Sequence, residues 1–153
     1  MDVNKRMTMC AAALTALAIA GCGGGSSGDK PASAPASGGA DSIQVTLGKP
    51  DEFMLTLSTA QAKSGKVKFH VTNMGTTDHE MIVIPLPSGA APAVLAEPGT
   101  GEANETTSLG EVGSTPVGKS GDVTLDLKAG KYALLCNEPG HFAGGMYTTL
   151  TVL

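Results

Sequence analysis

The 153-residue chain has no tryptophan, only three phenylalanines and two tyrosines, and only three cysteines. Beyond residue 21 it has no arginine. Eight lysines there face thirteen acidic residues, a net charge of −5. That balance excludes the basic patches that nucleic acid requires. It fits an acidic domain, or one that docks cationic partners. The longest apolar stretch, "CAAALTALAIA", falls short of the roughly 20 residues of a permanent membrane helix. No G-x-S-x-G and no papain-like cysteine signature occurs, so a Ser or Cys hydrolase finds no support. No segment has the spacing of an amphipathic helix.

What is present begins with an export signal. Lys5 and Arg6 precede that short apolar stretch, as in a cleaved signal over residues 1–21. "IAGC" follows, ending at Cys22. Small residues before a cysteine at this place resemble the lipobox of bacterial lipoproteins. The resemblance implies cleavage before Cys22 and a diacylglycerol thioether on it. Residues 22–42 are almost wholly Gly, Ser, Ala and Pro, a composition that cannot bury enough apolar surface to order itself. They read as a tether reaching roughly 25 Å. The expected location is extracytoplasmic, held to a bacterial membrane by the lipid.

Residues 43–153 are enough for one domain with one core. "SIQVTLG", "EFMLTLS", "GKVKFHVTN" and "DVTLDL" alternate apolar and polar residues. "HEMIVIP" and "KYALLC" are apolar on both faces, as central strands are. "MYTTLTVL" closes the chain with residues that suit a pleated surface. Seven such segments between turns indicate an all-β sandwich or barrel, read as antiparallel. One stretch, 86–121, is long, rich in Gly and Pro, and acidic through Glu97, Glu102, Glu105 and Glu111. It reads as an irregular, solvated loop.

The chemistry is concentrated in "CNEPGHFAGGM", residues 136–146. With Cys10 removed and Cys22 acylated, Cys136 stands alone in a compartment that favours disulfides. Such a cysteine is an intermolecular bridge, an inert buried thiol or a metal ligand. Four residues separate Cys136 from His141, and four more separate His141 from Met146. Pro139 and Gly140 make a turn, so the loop folds three metal-competent side chains toward one point. Thiolate, imidazole and thioether together select copper, whereas zinc rarely uses thioether. A second histidine is needed. His70 shares a strand face with Lys66 and Lys68, toward solvent; His79 opens a buried strand just after a turn and is the better candidate. Met54, Met74 and Met81 read as packing residues.

"FHVTNMGTTDHEMIV" and "YALLCNEPGHFAGGMYTTLTV" together resemble the two copper-site segments of the cupredoxins, over about residues 43–84 and 120–153. The resemblance implies a Greek-key β-sandwich of seven or eight strands and one mononuclear type 1 copper bound by His79, Cys136, His141 and Met146. It also implies one-electron transfer rather than catalysis. The partners would be redox proteins of a respiratory or photosynthetic chain meeting a monomer. Storage or delivery of copper is the alternative. Electrons would pass at an apolar patch of Pro139, His141, Phe142 and Ala143. Asn73, Glu80 and Asn137 would support the ligands. Glu80 departs from the Asn usual after the first ligand histidine, and is expected to bond across to the loop following Cys136. Asn137 departs from the frequent Thr or Ser.

Overall fold

The computed structural model describes residues 41–153. The signal at 1–21, the lipidation site Cys22 and nearly all of the 22–42 tether lie outside the described residues.

Nine strands appear there: β1 (Asp41–Leu47), β2 (Leu55–Leu57), β3 (Gln61–Ala62), β4 (Gly65–Asn73), β5 (His79–Leu86), β6 (Gly110–Thr115), β7 (Ser120–Leu127), β8 (Gly130–Leu135) and β9 (Tyr147–Val152). They form two sheets, ordered β2-β1-β4-β7 and β3-β9-β8-β5-β6. The chain crosses repeatedly between them, giving a Greek-key sandwich.

Several sequence expectations need correction. β1 starts at Asp41, two residues inside the segment read as tether. Asp41 Oδ2 accepts the Lys63 N–H at 2.7 Å, which holds the strand end. The sheets are mixed. β1 runs parallel to β4, and β3 parallel to β9. After the β1–β2 hairpin the chain visits the second sheet as β3 and then returns beside β1; residue alternation carries no sign of that direction. The stretch 86–121 is not wholly irregular, because it contains a 3-10 turn (Pro92–Leu95) and strand β6. β6 reads "GEVGST" and pairs only with β5. An edge strand with two glycines needs no apolar alternation, so the pattern was missed. Phe53 does not continue the apolar face of β2. It sits in the preceding turn, 44 % exposed. Met81 packs in the core as expected, but Met54 and Met74 are exposed.

β5 explains what the 86–121 stretch is for. Met81 and Val83 face the main core between the sheets, with Val67, Phe69, Leu134 and Cys136. Ile82, Ile84 and Leu86 face outward, yet are buried with Ala133, Leu135, Ala103 and Phe142, and with Leu95 against them. The excursion is therefore more than a solvated loop, although most of its residues are exposed. It is the cover that a sheet apolar on both faces requires.

If the cover is structural, Ile84→Ala should destabilise the protein by about 2–5 kcal/mol, the range for a buried large-to-small change. Chemical denaturation checks this. A change within about 0.5 kcal/mol, typical of a surface site, would mean that the outer face is not covered in solution.

Candidate metal centre

Cys136 directly follows β8 and is fully buried. The chain then turns tightly. The His141 N–H donates to the Glu138 carbonyl at 2.9 Å, and the Gly144 N–H to the Gly140 carbonyl at 2.9 Å. Gly140 supplies the positive φ of 81° that this turn needs. Two further bonds close the loop. The Met146 N–H donates to the His141 carbonyl at 3.0 Å, and the Cys136 N–H to the Met146 carbonyl at 3.0 Å. Cysteine, histidine and methionine are thus locked to one another through their backbones.

His79 arrives from the start of β5, where the register with β6 shifts between His79 and Met81. It too is fully buried. The turn ahead of it is braced by Asn73. The Asn73 Nδ2 donates to the Thr77 carbonyl at 2.7 Å and to the Thr115 carbonyl at 2.8 Å, and its Oδ1 accepts the Gly75 N–H at 2.9 Å. Gly75 has no room for a side chain. A Cβ there would lie 2.6 Å from His79 Nε2 and 2.8 Å from Glu52 Oε1.

The result is a triangle of donor atoms. His79 Nδ1 lies 3.1 Å from His141 Nδ1, His141 Nδ1 lies 3.2 Å from Cys136 Sγ, and Cys136 Sγ lies 3.8 Å from His79 Nδ1. A point equidistant from the three is about 2.0 Å from each, the length of a metal–imidazole bond. Met146, fully buried and joined to both Cys136 and His141 by backbone hydrogen bonds, completes the group. His79, Cys136, His141 and Met146 are thus gathered as a mononuclear site with the donor set of type 1 copper. His70 is not among them. Its Nδ1 is 2.9 Å from Asp122 Oδ1 on the outer face of the first sheet.

The solved structures that resemble this chain share the fold. Auracyanin from Roseiflexus castenholzii aligns with a TM-score of 0.52 at 21 % identity, covering 75 % of this chain and 99 % of that one. Auracyanin A from Chloroflexus aurantiacus, a "blue" copper protein, gives 0.54 at 20 % identity, with 75 % and 100 % covered. Rusticyanin from Thiobacillus ferrooxidans gives 0.59 at 18 % identity, with 73 % and 76 % covered. The chain has the cupredoxin fold. No protein-family model and no curated protein matches it by sequence.

The electrostatics suit a cation. Burial pushes the Cys136 thiol up to about 11, so without an ion it keeps its proton. A bound cation reverses that preference. Burial, then the neighbouring His79, push the His141 imidazole below its ordinary value, which favours the neutral, ligating form. The Sγ accepts the Glu80 N–H at 3.4 Å. The Glu80 Oε1 in turn accepts the Asn137 N–H at 3.1 Å, linking the two ligand segments. Burial, aided by Glu138, Glu105 and Glu111, raises the Glu80 carboxyl above the usual carboxylate range. Asn137 reaches the other way. Its Oδ1 accepts the Ala103 N–H at 2.7 Å, and its Nδ2 donates to the Ala103 carbonyl and to Glu105. The covering excursion is thereby fastened to the ligand loop, as it is again by the Ala143 N–H bond to the Gly101 carbonyl at 3.1 Å.

At the surface, Pro139 and Ala143 are exposed and His141 is partly so. Phe142 is not part of this surface. It is 4 % exposed and packs on Tyr147, ring centroids 5.2 Å apart. The turn sends its ring inward, where Ala103 and Leu95 share its cluster. The exposed ring at the site is Phe53, edge-on to His141 at 5.2 Å. Glu52 was also missed. Its Oε1 lies 3.0 Å from His79 Nε2. The Thr76 backbone N–H, with help from Thr77, holds the Glu52 carboxyl down to about 2. The spacing of "EFMLTLS" sets Phe53 on a strand face, and no sequence pattern marks either residue as part of the site.

Gly75→Ala should weaken copper(II) binding at least tenfold, because its methyl group would displace the His79 ring. His70→Ala should leave binding unchanged. Copper titration of the two folded variants checks this, and the opposite pattern would move the site to His70.

Proposed function

We propose that the protein is a membrane-tethered type 1 copper protein that carries single electrons between extracytoplasmic redox partners. The observation that carries the reading is the pre-assembled triangle of two Nδ1 atoms and one Sγ, with Met146 bonded between the residues that bear two of them. When bound, copper supplies a one-electron couple between Cu(II) and Cu(I). The chain's own groups do the rest. Cys136 gives up its thiol proton and binds as thiolate. His79 and His141 offer neutral Nδ1 lone pairs. Met146 adds a weak thioether, the soft donor of such sites. Backbone bonds on every side of the ligand loop resist rearrangement when charge changes, which keeps transfer fast.

The exit for electrons is the edge of His141. Phe53, Pro139 and Ala143 give it an apolar rim, suited to the small interfaces of brief encounters. Glu105, Glu111 and Glu138 around Glu80 add negative charge on one side, steering a cationic partner in a salt-dependent way. The lipobox-like "IAGC" and the Gly/Ser/Ala/Pro stretch support a lipid on Cys22 and a leash that leaves the domain free to reorient. Among the described residues no helix is long and apolar enough to cross a membrane.

Cys136→Ser should abolish the intense thiolate-to-copper(II) absorption in the visible while the protein stays folded. A folded Ser variant that stays intensely coloured would remove Cys136 from the site. Ala143→Glu should slow electron self-exchange several-fold without altering that absorption. If self-exchange is untouched while copper passes readily to an apo-acceptor, the protein delivers copper instead.

A further inference from the structure

His79 turns only one ring nitrogen toward the ligand cluster. Its Nδ1 faces His141 and Cys136, and its Nε2 lies 3.0 Å from Glu52 Oε1. The same carboxylate accepts the Thr76 N–H at 2.9 Å through each oxygen, the Thr77 N–H at 3.0 Å and the Thr77 hydroxyl at 2.9 Å. Three donors, in four contacts, therefore converge on one carboxylate beside a fully buried imidazole. The absent side chain of Gly75 is what lets carboxylate and ring meet, since a Cβ would lie within 3 Å of both.

We propose that Glu52 positions and tunes the copper centre: its carboxylate fixes His79 as the Nε2–H tautomer, aims the Nδ1 lone pair at the metal, and biases the site toward Cu(II). The inference rests on the copper-carrier reading. A neutral buried imidazole holds one proton, and the acceptor on one nitrogen decides where it sits. A neutral acceptor would decide the tautomer only. A carboxylate also pushes electron density through the ring and makes Nδ1 a stronger donor. Stronger donation stabilises the dication more than the monocation, so it lowers the reduction potential. The clamp on Thr76 and Thr77 keeps the carboxylate from turning away.

The test uses the full chain as wild type, Glu52→Gln and Glu52→Ala. Gln keeps an acceptor and removes the charge, whereas Ala removes both. In the copper-free protein, 15N shifts of the His79 ring should report Nε2–H in the wild type and Glu52→Gln, and a tautomer mixture in Glu52→Ala. A wild-type ring protonated at Nδ1 would overturn the positioning role. In the copper-loaded protein, Glu52→Gln should raise the reduction potential. A tenfold loss of Cu(II) affinity relative to Cu(I) reads as about 59 mV. An unchanged potential in a folded Glu52→Gln would overturn the tuning role. Failure of the copper-carrier reading looks different. The wild type itself would lack the thiolate-to-copper band, while the copper-free 15N result would still decide whether Glu52 positions His79.

Discussion

The structure depends on bringing three donor atoms within 4 Å of one another inside an apolar sandwich. Burial opposes that grouping. It disfavours the thiolate of Cys136 and the charged form of His141, and leaves a polar cluster where a core would otherwise be wholly apolar. Only a web of backbone bonds, with Asn73, Glu80 and Asn137 as struts between segments, keeps the cluster assembled. A cation entering the triangle then relieves the same tension, since it stabilises the thiolate and takes up both lone pairs.

The rest of the fold follows from serving that end of the sandwich. β5 and β8 deliver His79 and Cys136, and both strands are apolar on two faces. One face makes the main core. The other needs a cover, which the 86–121 stretch provides through Leu95 and Ala103. Because Asn137 and Ala143 bond to the cover, the ligand loop is held from outside as well as from within. Cover and copper loop are mechanically one piece, and Glu105 and Glu111 are carried with it.

Local features of the site were legible in the sequence. Cys136, His141 and Met146 lie in one short loop, so spacing alone predicts their convergence, and His79 declares itself by opening a buried strand after a turn. Long-range features were not. Glu52 meets His79 only because a turn near β2 folds over Gly75, and no local pattern states that. Phe53 and Leu55 share a spacing that mimics a strand face, yet the turn leaves Phe53 at the surface. Phe142 looks like an exposed loop residue until the cover is in place above it. The direction of β1 relative to β4 is likewise invisible to alternation, since burial repeats every second residue in parallel and antiparallel pairs alike. The two-faced strand β5 did signal that something must lie on it; the Gly/Pro-rich composition of 86–121 concealed what.

In the proposed carrier, one rigid, thiolate-bound copper site would serve both oxidation states. X-ray absorption on the copper-loaded protein, oxidised and then reduced by one electron, tests it most directly. One short sulfur and two nitrogens, the nitrogens at about 2.0 Å, are expected in the oxidised state, with the same set kept and only slightly lengthened on reduction. Absence of a short copper–sulfur shell, or loss of a histidine nitrogen on reduction, would contradict it.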